Sequence, residues 1–417
     1  IILNMISKPK GTLDILPDDA FIRQQIEKRL RESAALFNFK EIRTPTFEKT
    51  ELFRRGIGEE TDIVSKEMYS FNNNEFTLKP EMTAPVIRAY IENSLYNVSP
   101  IVKLYYISNM YRHERPQAGR YREFSQFGAE VIGSSDFTSD VELISLGVFS
   151  LMNFGLNDLK IKVNNIGNLE ERTEYINELK EYLYKFENDL SNESKRRLLT
   201  NPLRILDSKD AKDIKIIEDA PTINNFLGID NLKHFENVMN GLESLNIKYE
   251  VDFKLVRGLD YYTSTTFEIA SDTLGAQNAV MGGGRYDKLV EQLGGKPTPA
   301  IGFACGLERL TLVLQSNEYK FASEDIPILY LVTSGEDARK LALVVTNKLR
   351  ERGVQCEMDL LNRSIKSQMK EANKIKSKYV AVIGEDEIKT GEVKIKRMLD
   401  GSESGIKLDD ITNYNFN

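Results

Sequence analysis

Residues 110–130 read MYRHERPQAGRYREFSQFGAE. Four arginines, Arg112, Arg115, Arg120 and Arg122, sit between two strand-like segments of a 417-residue chain whose formal net charge is -7. The flanks, SPIVKLYYISNMYR and YREFSQFGAEVIG, are rich in β-branched and aromatic residues, and a polar loop joins them. That is a hairpin pattern, and hairpins imply antiparallel pairing. The period of two puts Arg112 and Glu114 on one face, and Phe124, Gln126, Gly128 and Glu130 on one face of the returning strand. If the faces coincide, one surface offers a cation, an aromatic ring, an amide and a carboxylate, which suits a zwitterionic substrate beside a nucleotide. Gly128 leaves a gap in that row where a small ligand could approach the backbone. A hairpin with a solvated charged tip explains the same spacing.

Outward from this hairpin, residues 17–40 read as a helix, with Pro17 and two aspartates at its start and Ile22, Ile26, Leu30 and Ala34 four apart. FKEIRTPTFEKTELF reads as a strand entering an extended Pro turn, and MYSF and EFTLKP flank NNN as a hairpin. DFTSDVELISLGVFSLMNFG is an amphipathic helix. From about 168 to 248 charged helical segments replace strands, a helical insertion. KYEVDFKLV, STTFEIAS and NAVMGGGRYD resume as strands, and GLERLTLVL closes the body as a helix with Leu307, Leu310 and Leu314 on one face. After a polar linker, strand and helix alternate from 326 to 417, a small α/β domain. The body itself is hairpin-rich and antiparallel, with no G-x-G-x-x-G or Walker A string. A nucleotide's phosphates would have to be held by arginines.

Composition excludes several classes. Apolar residues make up 41% and charged ones 29%, ordinary for a globular chain. No apolar run of about 18 residues exists, so no membrane-spanning helix is expected. The opening IILNMISKPK does not fit a secretory signal, and Met5 is a candidate native start. Two distant cysteines, Cys305 and Cys356, imply a reducing, cytoplasmic setting. Only two histidines, His113 and His234, are present, so a His-based zinc site or a Ser-His-Asp triad has almost nothing to work with. No metal-ligating cluster is expected. Residues 326–417 carry 16 Lys and Arg against 14 Asp and Glu, while the rest has 40 against 49. A mildly basic tail on an acidic body points weakly to nucleic acid.

Further constellations follow the first. LKPEMTAPVIRAY places Glu81 and Thr83 after a strand, between Pro80 and Pro85. KLVRGLDYYTSTTFEI joins Arg257 to paired Tyr261 and Tyr262, whose hydroxyls need partners if buried. An ion pair of Arg257 with Asp260 is the plainer reading. The three glycines before Arg285 allow close backbone approach or a tight turn. AIGFACGLERL puts Arg309 in the first turn of a helix, where an acid is favoured, so an anion nearby would explain it.

In this order the strings resemble those of class II aminoacyl-tRNA synthetases, specifically the histidyl-tRNA synthetase family. FKEIRTPTFE looks like motif 1 with Pro45, YRHERPQAGRYREFSQFGAE like motif 2, and AIGFACGLERL like motif 3. LVRGLDYYTSTTFE and GGGRYD are similar to the two histidine-specific signatures. The resemblance runs from about residue 8 to beyond 400. It implies an α+β fold: an antiparallel-sheet catalytic core over 1–322 with the insertion at about 168–248, and an α/β anticodon-binding domain over 326–417. It implies a homodimer built through motif 1, and as partners L-histidine, ATP and tRNA(His), with Mg2+ bridging the phosphates. The implied reaction joins histidine to ATP as histidyl-adenylate, then passes the histidyl group to the tRNA.

The resemblance also carries roles onto residues. Arg112 matches the arginine on the α-phosphate and carboxylate, Glu114 an acid near ATP, Phe124 the ring on adenine and Arg309 the arginine on the γ-phosphate. Arg257 matches the family's own arginine at the carboxylate and α-phosphate. Glu81, Thr83 and Gln126 match the α-amino side; Glu130 and Tyr262, with Tyr261 adjacent, match the imidazole side. Met82 stands where many members carry glycine, and would narrow the pocket mouth. Arg115, Gln117, Arg120 and Arg122 would meet the acceptor end of tRNA. Two rivals exist. A histidine-binding regulatory paralogue usually lacks the last domain and the catalytic arginines, all of which stand here. A threonyl or prolyl enzyme is disfavoured by RGLDYY and by the lack of Cys/His zinc ligands.

Overall fold

The computed structural model describes residues 6–58, 61–117, 119–271, 279–322 and 326–416. Met5 and part of the linker lie outside them. The chain forms two compact units that divide between Phe321 and Ala322.

The first unit contains β1 (Lys40–Glu41), β2 (Phe47–Lys49), β3 (Tyr69–Phe71), β4 (Phe76–Leu78), β5 (Val102–Tyr111), β6 (Glu123–Ile132), β7 (Leu159–Asn165), β8 (Glu250–Val251), β9 (Thr263–Ser271), β10 (Ala279–Arg285) and β11 (Ala300–Gly306). Its helices are α1 (Pro17–Leu36), α2 (Thr50–Ile57), α3 (Thr83–Glu92), α4 (Phe137–Met152), α5 (Leu169–Tyr184), α6 (Asn192–Thr200), α7 (Ala211–Glu218), α8 (Ile229–Ser244), α9 (Leu289–Gln292) and α10 (Leu307–Ser316). The main sheet runs β1-β5-β6-β11-β10-β9-β7-β8 among the described residues. Its six central strands are antiparallel; β1 and β8 add short parallel pairs at the edges. Strands β2, β4 and β3 make a small separate sheet.

Alternation along the strands gives the main sheet two different faces. Phe127, Ala129, Phe267 and Phe303 point into one core, covered by Ile26 and Leu30 of α1, Leu143 and Ile144 of α4, Val238 of α8 and Leu310 of α10. Each buried Phe, Leu, Ile or Val among them contributes about 1.5–3 kcal/mol. The other face packs Val86, Ile87 and Tyr90 of α3 with Tyr106, Tyr261, Tyr262 and Tyr286. Helices α5 to α7 and the turns between them hold a third cluster around Tyr175, Leu179 and Ile205, while α8 packs on the main-sheet core.

The hairpins at 102–132 and 69–78 form as expected, and Asn72, Asn73 and Asn74 all take left-handed φ values of 51°, 55° and 64°. Other expectations need correcting. The first helix stops at Leu36 because Asn38 turns left-handed and Lys40 joins the sheet beside β5. The segment around Pro45 is not one strand: β1 and β2 are separate, and Thr50 starts α2, whose Leu52, Phe53 and Ile57 are buried. KYEVDFKLV pairs over Glu250–Val251 alone, since the Asp252 side chain accepts from Lys254 N and turns the chain. The glycine run lies inside β10 and is no turn.

The second unit is a sheet in the order β13 (Cys356–Met358), β12 (Leu329–Thr333), β14 (Tyr379–Ile383), β15 (Glu392–Arg397), β16 (Glu403–Lys407), parallel over the first three strands. Helices α11 (Glu336–Glu351), α12 (Ile365–Lys374) and α13 (Glu385–Thr390) alternate with those strands. Cys305 and Cys356 are free and buried. No helix among the described residues is long and apolar enough to cross a membrane.

Arg285, 1% exposed, locks α4 to the sheet. Its guanidinium donates to Asp140 from Nε and Nη2 (2.6–3.0 Å), to Asp287, to Ser139 Oγ and to the Ser134 and Asp136 carbonyls. Asp140 also faces His234 at 3.3 Å. Breaking such a pair strands a buried charge. Arg285→Ala should therefore cost about 3–5 kcal/mol in urea unfolding; a loss under about 1 kcal/mol would show that the network is dispensable.

Candidate active site

The face that carries Tyr106 and Tyr286 is built on missing side chains. Register aligns Tyr106, Gly128, Ala304, Gly282 and Glu268 across β5, β6, β11, β10 and β9. The next row is Leu104, Glu130, Gly302, Gly284 and Thr266. Larger side chains lean over the glycines. A Cβ on Gly128 would overlap the Tyr106 ring, one on Gly302 the Glu130 carboxyl, and one on Gly282 the Arg257 guanidinium. The gap at Gly128 is thus filled by Tyr106 and is not a place for a ligand.

Glu130 is fully buried. Tyr286 Oη donates to its Oε2 at 2.5 Å and Thr83 Oγ1 to its Oε1 at 3.0 Å. Burial pushes its carboxyl up to about 8, against the pull of those two hydroxyls. Tyr261 and Tyr262 pack in a tilted pair at 4.8 Å between ring centres, and Tyr261 meets Tyr286 at 5.7 Å. Glu81, also buried, accepts from Thr83 N (2.7 Å) and Ala84 N (2.9 Å) at the start of α3; burial raises its pKa all the same. Met82 is 1% exposed and belongs to the same apolar cluster as Val86 and Tyr106, with Thr44 Oγ1 against its sulfur at 3.3 Å. It shares that cluster with Tyr261 and Tyr262.

Arg112 lies just beyond β5, so it does not share a strand face with Glu114; the two meet instead as a 3.7 Å ion pair. Its Nε donates to Pro80 O at 2.8 Å, and its guanidinium lies 5.2 Å from the Phe124 ring centre. Glu114 bridges to Arg120 at 3.6 Å. Arg257 pairs with Glu268 at 3.1 Å, while its Nε is buried without a partner. The Asp260 carboxylate accepts from Asn201. Arg309, in the first turn of α10, donates to Ala279 O at 2.8 Å. Burial lowers its pKa, and Arg120 beside it adds to the effect. A desolvated cation next to another cation is a place where an anion is welcome. Gln126 is half-buried on β6, opposite Gly306.

Arg115, Gln117 and Arg120 are exposed, and Gln117 and Arg120 pair across the loop tip. Arg122 is not among them: its Nη1 donates to Lys10 O and its backbone N–H to Gly11 O, so it ties down the segment before α1. His113 packs edge-on against Tyr69. Sequence reading passed over Tyr106, Tyr286 and Glu268. Tyr286 was visible as the residue after Arg285 in GGGRYD; the other two are tied to the site only by pairing between strands distant in sequence.

Six antiparallel strands with a glycine-lined face, the buried carboxyls of Glu81 and Glu130, arginines brought in from loop and helix, and a separate α/β unit define the architecture of a class II aminoacyl-tRNA synthetase. The histidyl-tRNA synthetase model matches residues 11–310 and an anticodon-binding-domain model matches 326–414. The histidine--tRNA ligase of Caldanaerobacter subterraneus is 44% identical over 98% of this chain and 99% of its own. That of Halothermothrix orenii is 48% identical over 97% of each. The crystal structure of apo S. aureus histidyl-tRNA synthetase superposes with a TM-score of 0.82 at 36% identity, covering 99% of this chain and all of that one. The chain belongs to the histidyl-tRNA synthetase family.

The raised Glu130 carboxyl gives a pH test. Its folded value of about 8 lies above the ordinary 4.5, so the folded state holds this proton more tightly than the unfolded chain. The stability it contributes is complete below the ordinary value and is lost as pH rises through the folded one. In urea titrations of the free protein, wild type should lose stability relative to Glu130→Gln across that window. A difference that stays flat would contradict the assignment.

Proposed function

We propose how the residues of this site divide the reaction that family membership gives the chain: ATP-dependent ligation of L-histidine to tRNA(His) through histidyl-adenylate, with release of pyrophosphate and AMP. Arg112 and Arg257 hold the histidine carboxylate and the α-phosphate. As the carboxylate attacks, charge grows on the equatorial oxygens of the α-phosphorus. Fixed guanidinium groups stabilise that charge without reorganising, and holding the carboxylate in line supplies much of the rest. Arg309 holds the γ-phosphate; Glu114 and Phe124 border the adenine side. Glu81, Thr83 and Gln126 take the α-amino group, and Glu130 with Tyr262 and Tyr261 the imidazole. Met82, between Glu81 and Thr83, borders the histidine pocket.

The observation that carries this reading is the contrast along one sheet face. A fully buried carboxyl with two hydroxyl donors stands in one glycine-lined row, and a guanidinium with an unpartnered Nε leans over the next. A pocket that pairs with an imidazole rejects apolar side chains, because they would leave Glu130 and Tyr262 unsatisfied.

Mg2+ enters with ATP. Among the described residues no three His, Cys, Asp or Glu side chains could hold a metal ion together. Magnesium on a nucleotide needs only one or two carboxylates besides the phosphates. Glu114, between Arg112 and Arg120, and Glu268, beside Arg257, fit that need. Bound there, the ion would neutralise phosphate charge.

The exposed Arg115, Gln117 and Arg120 meet the acceptor end of the tRNA, residues 326–417 its anticodon, and residues 1–322 form the catalytic core with the insertion at about 168–248. The working form is a cytoplasmic homodimer through the motif 1 region. Exposed Phe47, at the end of that region, and Phe71 on the same small sheet meet edge-to-face at 5.7 Å and support that surface.

Arg257→Ala should leave the fold intact and cut histidine-dependent ATP–pyrophosphate exchange by at least about 100-fold. Near-normal exchange in this variant would remove Arg257 from the chemistry.

A further inference from the structure

We infer that the helical insertion holds the histidine-binding segment Arg257–Tyr262 in place, with Arg172 of α5 as the positioning residue. The inference rests on the reading of that segment given above.

The chain from 253 to 262 is a strap between two cores. Phe253 and Val256 pack against the insertion's cluster around Tyr175 and Leu179. Leu259, Tyr261 and Tyr262 pack against the cluster on the sheet face. Between β8 and β9 the strap makes no ladder. Its described backbone bonds are few: Leu255 N to Asp252 O, Asp260 N to Ile57 O at 3.2 Å, and Asn164 Nδ2 to the Phe253 and Leu255 carbonyls. A segment held so sparsely takes its shape from neighbouring side chains.

Three of those come from the insertion. Arg172 Nη1 donates to Tyr262 O at 2.7 Å. Asn201, just after α6, donates from Nδ2 to Asp260 Oδ1 at 3.3 Å. The Arg204 guanidinium lies over Gly258, where a Cβ would come within 3.4 Å of Nη1. Burial lowers the pKa of Arg172 and of Arg204. Solvated arginines would not incur that cost, so these two are drawn in to serve the strap. The carbonyl that Arg172 grips belongs to the tyrosine whose ring faces the imidazole side. Displacing the insertion would loosen that carbonyl and, through it, Tyr262. Histidine affinity and the docking of the insertion are then coupled, and the coupling is reciprocal.

Kinetics of ATP–pyrophosphate exchange on the full chain test this with Arg172→Ala, Arg172→Lys, Asn201→Asp and Tyr262→Phe. Arg172→Ala should raise the KM for histidine about tenfold while the KM for ATP stays within about twofold. Arg172→Lys should recover part of the loss, because a single donor reaches Tyr262 O. Asn201→Asp sets a second carboxylate against Asp260 without touching a buried group, and should also raise the histidine KM alone. If both KM values move together, or neither moves, the inference fails. If Tyr262→Phe raises the histidine KM and the insertion variants do not, the inference fails and the reading of the site survives. If Tyr262→Phe leaves the histidine KM unchanged, that reading fails as well.

Discussion

The site depends on a steric constraint, an absence of side chains across the middle of the main sheet. Gly128, Gly282, Gly284 and Gly302 occupy neighbouring strands in two adjacent rows, and only backbone lies beneath the groups that matter. This floor lets Tyr106, Glu130 and Arg257 lie flat over the sheet, and a Cβ at any of the three positions beneath them would collide. The opposite face of the same strands is filled with Phe127, Phe267 and Phe303, whose packing holds the strands at the spacing the floor needs. One face is packed with aromatic rings and the other is kept thin.

Electrostatics follow from that geometry. Burying Glu130 raises its pKa, and two hydroxyl donors compensate only in part. The guanidinium groups are each held by a neighbour, Arg112 by Glu114 and Pro80 O, Arg257 by Glu268 and Arg309 by Ala279 O. These contacts fix orientation yet leave donor capacity for an anionic ligand, as the unpartnered Nε of Arg257 illustrates. Preorganised donors of this kind favour a transition state that gains negative charge.

Much of this was legible in the sequence where the signal is local. The 102–132 hairpin, the NNN turn and the helix after Gly306 follow from period and turn chemistry. Arg112, Glu130, Arg257 and Arg309 were singled out as residues whose type and place asked for an anion or a zwitterion. What was not legible is what pairing between distant strands decides. Gly128 read as a ligand gap because nothing in the sequence says that Tyr106 covers it. An ion pair of Arg257 with Asp260, three residues on, was the plainer alternative, but Arg257 pairs with Glu268 on β9. Arg122 looked like one loop arginine among four until the chain before α1 folded over it. The short β8 and the start of α2 were misjudged because a two-residue strand, or a helix after an extended turn, leaves too few residues to show a period.

The central claim is that one sheet face recognises histidine and activates it. ATP–pyrophosphate exchange on the purified chain, with histidine and then each of the other amino acids, followed by charging of tRNA, tests it most directly. Exchange with histidine alone, together with tRNA charging, is the result this account predicts. Histidine binding without exchange would contradict it, and the arginines along that face would then need another explanation.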